Sequence, residues 1–135
     1  MGLKNLCLLL ISTSLFSSEV YFYQNKKKVF ITPTQLKLSN ARVATHSFDT
    51  IKYFTTSNNI LLGITNEILV KYRNMYALEK IQLRYSLVPI KRITHDIYLY
   101  KIDDADLTLK ISNALYEEDD IEYAHPNFIK KTQNR

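Results

Sequence analysis

From Ile64 onward the spacing of apolar residues alternates between a period of two and a period of three to four, in an order that few folds accommodate. Glu67-Ile68-Leu69-Val70-Lys71-Tyr72 reads as a strand, with Ile68, Val70 and Tyr72 on one face. Asn74 is placed to cap a helix from Met75 to Tyr85, where Leu78, Ile81 and Tyr85 recur at helical spacing. Pro89 stands at the start of a β-branched run, Ile90 to Thr94, a position proline tolerates at a strand start or on an edge. His95-Asp96 turns the chain into Ile97-Tyr98-Leu99-Tyr100-Lys101-Ile102. Asp103 or Asp104 then caps a second helix with Leu107, Ile111, Ala114 and Leu115 along one side. Asp104 and Asp106 fall in its first turn and complement the helix dipole. Glu117 to Asp120 end that helix, and Ile121 to Phe128 is a last strand.

Strand, helix, strand, strand, helix, strand is the order of a split βαβ unit. The expected fold is therefore α+β, a ferredoxin-like sandwich with both helices on one face of an antiparallel sheet. Leu78, Ile81, Leu107, Ile111 and Leu115 are its expected core between helices and sheet. Upstream, Tyr21-Phe22-Tyr23 and Val29-Phe30-Ile31 flank a polar turn containing Asn25 and predict an N-terminal β-hairpin extension ended by Pro33. From Thr34 to Asn59 the pattern is weak, with Ser39-Asn40 and Thr55 to Asn59 as loop punctuation. The expected division is a targeting segment over 1–18, the extension over 19–59, the main domain over 60–128 and a tail over 129–135. With 135 residues and 46% apolar content, one modest core is what the chain can build.

The first residues have the form of a secretory signal: Lys4 as the only charge, an apolar run from Leu6 to Ile11, and small Ser17 and Ser18 before Glu19. The run is short of the roughly 20 apolar residues that span a bilayer. The expected destination is thus the cell envelope, periplasm or exterior, with no stable membrane insertion after cleavage. Cys7 lies within the signal, so the mature chain has no disulfide, no catalytic thiol and no thiolate metal site. The net charge of +5 comes from short runs, Lys26-Lys27-Lys28 and Lys130-Lys131, interrupted by acidic stretches. No glycine-aromatic motif of an RNA-binding sheet accompanies the tyrosines, so solvated basic edges are expected rather than a nucleic-acid site.

Enzyme chemistry finds no foothold in the sequence. No serine sits in a glycine-flanked nucleophile turn, and Gly2 and Gly63 are the only glycines. His46-Ser47-Phe48-Asp49 holds all three triad residue types, but adjacent side chains on one short segment cannot reach triad geometry. The three histidines have no His-x-x-x-His spacing, so no metal is expected, and nothing points to a cofactor. Glu117-Glu118 and Asp119-Asp120 read as a solvated helix end rather than an acid/base pair.

Leu115 to Phe128, with its Ile121-Glu122-Tyr123-Ala124-His125-Pro126-Asn127 strand, closely resembles the end of the propeptide domain of subtilisin-like serine proteases. Gly63 to Tyr72 resembles the first strand of that domain, and Met75 to Ile102 its helix and central hairpin. His125 stands where the family often has an acidic residue, and no His-Gly or Gly-Thr-Ser-type protease motif follows. The resemblance implies an intramolecular chaperone and inhibitor, not itself an enzyme, whose partner is a secreted subtilisin-like protease domain. It also leaves open an N-terminal fragment of a serine protease precursor, inactive by itself, and a generic secreted ferredoxin-like protein-binding module remains a third reading. Two helices cover one sheet face only, so the other is expected to be solvated or docked; tyrosines suit a docking face, and packing against the N-terminal extension is the alternative for them. The expected contact residues are Tyr98, Tyr100, Glu122, Tyr123, His125, Pro126, Asn127 and Phe128. The resemblance implies that the tail from Phe128 runs extended into the protease cleft.

Overall fold

A computed structural model of the chain describes residues 19–35 and 51–130. The expected signal segment, Cys7, the His46 to Asp49 cluster and residues 131–135 lie outside the described residues. The strands are β1 (Tyr21–Gln24), β2 (Lys27–Pro33), β3 (Lys52–Thr56), β4 (Leu61–Ile64), β5 (Glu67–Tyr72), β6 (Val88–Arg92), β7 (Ile97–Lys101), β8 (Ile121–Pro126) and β9 (Ile129–Lys130). Helix α1 (Leu78–Arg84) lies between β5 and β6, and α2 (Thr108–Tyr116) between β7 and β8. The architecture is α+β, with two helices and antiparallel sheets, and it is compatible with a split βαβ sandwich.

One sheet has the order β6-β7-β5-β8, every neighbour antiparallel. Ile68 pairs with Tyr100 and Val70 with both Tyr98 and Ala124, so these residues share a face. Both helices pack on that face: Ile81 of α1 and Leu115 of α2 join Ile68, Val70, Tyr72, Tyr100 and Ala124 in one buried cluster. Each helix opens on a short 3-10 turn whose first backbone donors are capped as expected. Asn74 Oδ1 accepts from the Tyr76 amide at 3.1 Å, and Asp104 Oδ1 from the Asp106 amide at 2.9 Å.

That second 3-10 turn, Ala105–Leu107, corrects the expected core. Leu107 is 40% exposed, because the α-helical period starts only at Thr108. The buried residues of α2 are Thr108, Ser112 and Leu115, with Ile111 packed beside them. Thr108 is tolerated there because its hydroxyl donates to the Thr65 carbonyl at 2.7 Å. The α2 C-terminus is tied to α1 by Glu118, which accepts from the Tyr85 hydroxyl at 2.5 Å and from the Arg84 guanidinium at 2.8 Å.

The second sheet has the order β1-β2-β3-β4-β9. Asn25 and Lys26 both take positive φ, 51° and 62°, which makes the expected hairpin turn the two-residue kind whose twist matches its strands. β2 pairs with β1 through Lys27 to Phe30 and with β3 through Ile31 to Pro33, so the sheet turns a corner along a single strand. Phe22, Ile31, Phe54, Leu62 and Ile64 form a second core, against which Leu109 and Phe128 pack. Of the loop expected through Thr55 to Asn59, Thr55 and Thr56 belong to β3, and Ser57 to Asn59 form the turn of the β3–β4 hairpin. The division expected near Ser57 to Gly63 falls within that hairpin, and strands on both sides of it share one sheet. The hairpin β1–β2 is held to α2 as well: Asn113 Nδ2 donates to the Tyr21 carbonyl at 2.9 Å, and the Tyr23 and Tyr116 rings stack at 4.0 Å.

The chain passes between the sheets twice, at Thr65-Asn66 and at Asn127-Phe128. After the second passage Ile129 pairs with Gly63 and Lys130 with Leu62. The segment expected to leave the domain as a tail from Phe128 is therefore part of the five-stranded sheet as far as Lys130. Gly63 permits this: a Cβ there would lie 3.1 Å from Ile51 Cγ2 and 3.2 Å from Ile129 Cβ.

Candidate docking surface

The alternation that buries Ile68, Val70 and Tyr72 sends Leu69 and Lys71 to the side away from the helices. Register then fixes their neighbours. Leu69 pairs with Leu99 and His125, and Lys71 with Ile97 and Tyr123. On the outer side Leu99 pairs with Lys91, and Lys101 with Val88. Leu69, Ile97 and Leu99 belong to neither core cluster and are only half-buried by their own sheet. The result is a face with an aliphatic centre, bordered by Lys71, Lys91 and Lys101.

At the β8 side this face becomes aromatic. The Tyr123 and His125 rings lie nearly parallel at 5.6 Å, and His125 continues onto Phe128 at 6.1 Å. Lys71 Nζ stands 6.0 Å over the Tyr123 ring and 3.2 Å from Glu122 Oε2. The hydrogen bond and the charge of Glu122 hold the Lys71 ammonium above its ordinary pKa, so this corner is internally neutralised. A groove of about 360 Å³ adjoins it, where Tyr123 and His125 face the β1–β2 turn at Asn25 and Lys26.

The structure separates the residues expected on this surface. Tyr98 and Tyr100 do share a face, but it is the one the helices cover. Tyr100 has no exposed surface; its hydroxyl is 2.6 Å from that of Tyr72 and accepts from Gln82 Nε2 at 3.0 Å. Tyr98 stacks on Tyr100 at 5.8 Å, with the Arg92 guanidinium 5.8 Å over its ring. The reason is parity: registered against Ile68 and Val70, these tyrosines turn toward the core, where Tyr100 is buried with its hydroxyl bonded and Tyr98 packs at the edge of the cluster. Burial keeps both the Tyr72 and the Tyr100 phenols above the ordinary value, Tyr72 far above it.

Glu122, Tyr123 and His125 come together on the open side of β8. Pro126 is buried. Asn127 turns back onto β5, where its amide N–H reaches the Glu67 carbonyl at 3.0 Å and its Nδ2 reaches Glu67 Oε2 at 2.8 Å. Phe128 goes into the second core, its ring 4.6 Å from Phe22. The sequence reading missed Leu69, Ile97, Leu99, Lys91 and Lys101 as surface residues. The signal that marks two of them was present, since Leu99 and Lys101 alternate with the two tyrosines.

What the open face offers is area, charge and aromatic rings, which are means of association. Among the described residues no group of three or more His, Cys, Asp or Glu side chains is placed to hold a metal ion. No described helix is long and apolar enough to cross a membrane. Comparisons with protein-family models, with curated proteins and with solved structures find no match.

Proposed function

We propose that this chain is a propeptide-like folding chaperone and inhibitor of a subtilisin-like serine protease, exported by its N-terminal segment and without peptidase activity of its own. The strand order β6-β7-β5-β8, with α1 and α2 in the two crossovers, fits a ferredoxin-like split βαβ unit and supports the fold that reading requires. The β1–β2 hairpin, β3 and β4 then form an addition ahead of that unit.

The observation that carries the reading is the face of the four-stranded sheet that no described element covers, which ends in β8 and its Tyr123-Ala124-His125-Pro126-Asn127 sequence. An antiparallel sheet with an aliphatic centre on its free side gains by covering Leu69, Ile97 and Leu99. Held in this way against a protease, the domain supplies area and orientation. Phe128 to Lys130 stay in the five-stranded sheet in this scheme.

The test is inhibition of a common subtilisin by the purified chain. Expected is saturable inhibition at micromolar concentration or below. Leu99→Asp, which places a carboxylate at the centre of the face, is expected to weaken it by about tenfold, equivalent to roughly 1.4 kcal/mol, with the circular dichroism of the fold retained. A folded chain that neither binds nor inhibits overturns the reading.

A further inference from the structure

We infer that the open face of the four-stranded sheet recognises a protein surface with an apolar centre and carboxylates around it. This rests on the docking role proposed for that face and specifies the chemistry of its partner.

Charge on the face is unevenly compensated. Lys71 has Glu122 at 3.2 Å, and Asp96 adds a further favourable field. Glu67, although registered opposite Lys101, is buried and held by Asn127. Lys91 and Lys101 are exposed, and among the described residues no carboxylate stands within ion-pair distance of either. They flank Leu99 on the β6–β7 side, and Val88, 53% exposed, lies beside Lys101.

A partner that covers Leu99 also removes water from these two ammonium groups. Desolvating an unpaired ammonium is unfavourable, so only a partner that returns carboxylates at the rim keeps the gain from the aliphatic centre. The same two charges steer an acidic partner during approach. A lipid surface is the weaker match. The central aliphatic side chains Leu69, Ile97 and Leu99 are half-buried, whereas insertion into an interface uses apolar groups that project well beyond the surface.

The test is an NMR titration of the ¹⁵N-labelled whole chain with two synthetic amphipathic peptides, one of leucine and glutamate and its counterpart of leucine and lysine. The leucine–glutamate peptide is expected to shift the amides of Leu69, Lys91, Leu99 and Lys101 saturably, and to bind about fivefold more weakly when NaCl rises from roughly 50 to roughly 300 mM. The leucine–lysine peptide is expected to leave them unmoved. Lys91→Glu combined with Lys101→Glu should weaken the acidic peptide by about tenfold. If that variant loses its dispersed spectrum, the double glutamine variant makes the same comparison. Shifts centred on Lys27 and Lys28, or equal response to both peptides, overturn the inference. So does face-dependent binding to phosphatidylserine–phosphatidylcholine vesicles when the acidic peptide has no effect. Peptide binding on this face without protease inhibition leaves the inference standing and removes the protease reading. Inhibition that ignores both salt and the two lysine substitutions does the reverse.

Discussion

Asn127 closes the four-stranded sheet onto Glu67 at two points, its backbone N–H on the Glu67 carbonyl at 3.0 Å and its side-chain amide on Glu67 Oε2 at 2.8 Å. Glu67 is only 7% exposed, so the carboxylate depends on that amide for part of its solvation. Asn127→Ala is expected to cost about 1–3 kcal/mol, because it strands a buried acceptor while leaving the backbone contact intact. Chemical denaturation of the two proteins measures this. An unchanged midpoint would mean that water replaces the amide without loss.

Leu115 and Leu107 look alike in the sequence and differ in the fold. Leu115 is fully buried and Leu107 is 40% exposed. Leu115→Ala should destabilise by about 2–5 kcal/mol, and Leu107→Ala should stay within about 0.5 kcal/mol. Equal effects in thermal melts would contradict the placement of the 3-10 turn.

Tyr100 carries two hydrogen bonds through one hydroxyl, one buried and one part-buried, and Tyr72 one. Tyr100→Phe is therefore expected to cost more than Tyr72→Phe, about 1–3 kcal/mol against about 1 kcal/mol. Burial raises both phenol pKa values in the folded protein. The neutral phenols then contribute stability that is complete below the ordinary tyrosine value of about 10 and declines as the pH climbs from there. Ultraviolet titration should find phenols that ionise above the ordinary tyrosine value in the wild type.

The Glu118 carboxyl is held below its ordinary pKa, first by the Tyr85 hydroxyl and then by Arg84. A lowered carboxylate contributes stability above the unfolded value of about 4.3 and loses it as the pH falls through the folded value. The wild type should lose thermal stability over that acid range. Glu118→Gln should begin lower at neutral pH and show a flatter acid limb, and parallel profiles would contradict the assignment.

Gly63→Ala tests the β4–β9 junction. The added methyl meets Ile51 Cγ2 at 3.1 Å and Ile129 Cβ at 3.2 Å, so a cost of about 1–3 kcal/mol is expected. Truncation gives the matching result in the melting temperature. Removal from Phe128 should lower it clearly, because the Phe22–Phe128 contact goes with it.

Local pattern was enough to locate β1, β5, β7, β8 and both helices. Each of these has either alternation or a helical stripe, together with a capping or turn residue beside it, as Asn74, Asp104 and Asn25 show. β3, β4 and β9 were not legible. Lys52–Thr56 and Leu61–Ile64 are short, and Ile129–Lys130 has only two residues. Pairing across the chain, not propensity, makes them strands. The docking surface shows the same division. Alternation put Tyr98 and Tyr100 on one side and Leu99 and Lys101 on the other. Which side the helices would take depended on the register with Ile68 and Val70, and a one-residue difference in register exchanges the two faces completely. The sequence alone determined the alternation, the turns and the caps. Tertiary structure decided which face remained open, because only long-range pairing chooses between faces whose local signals are nearly equal.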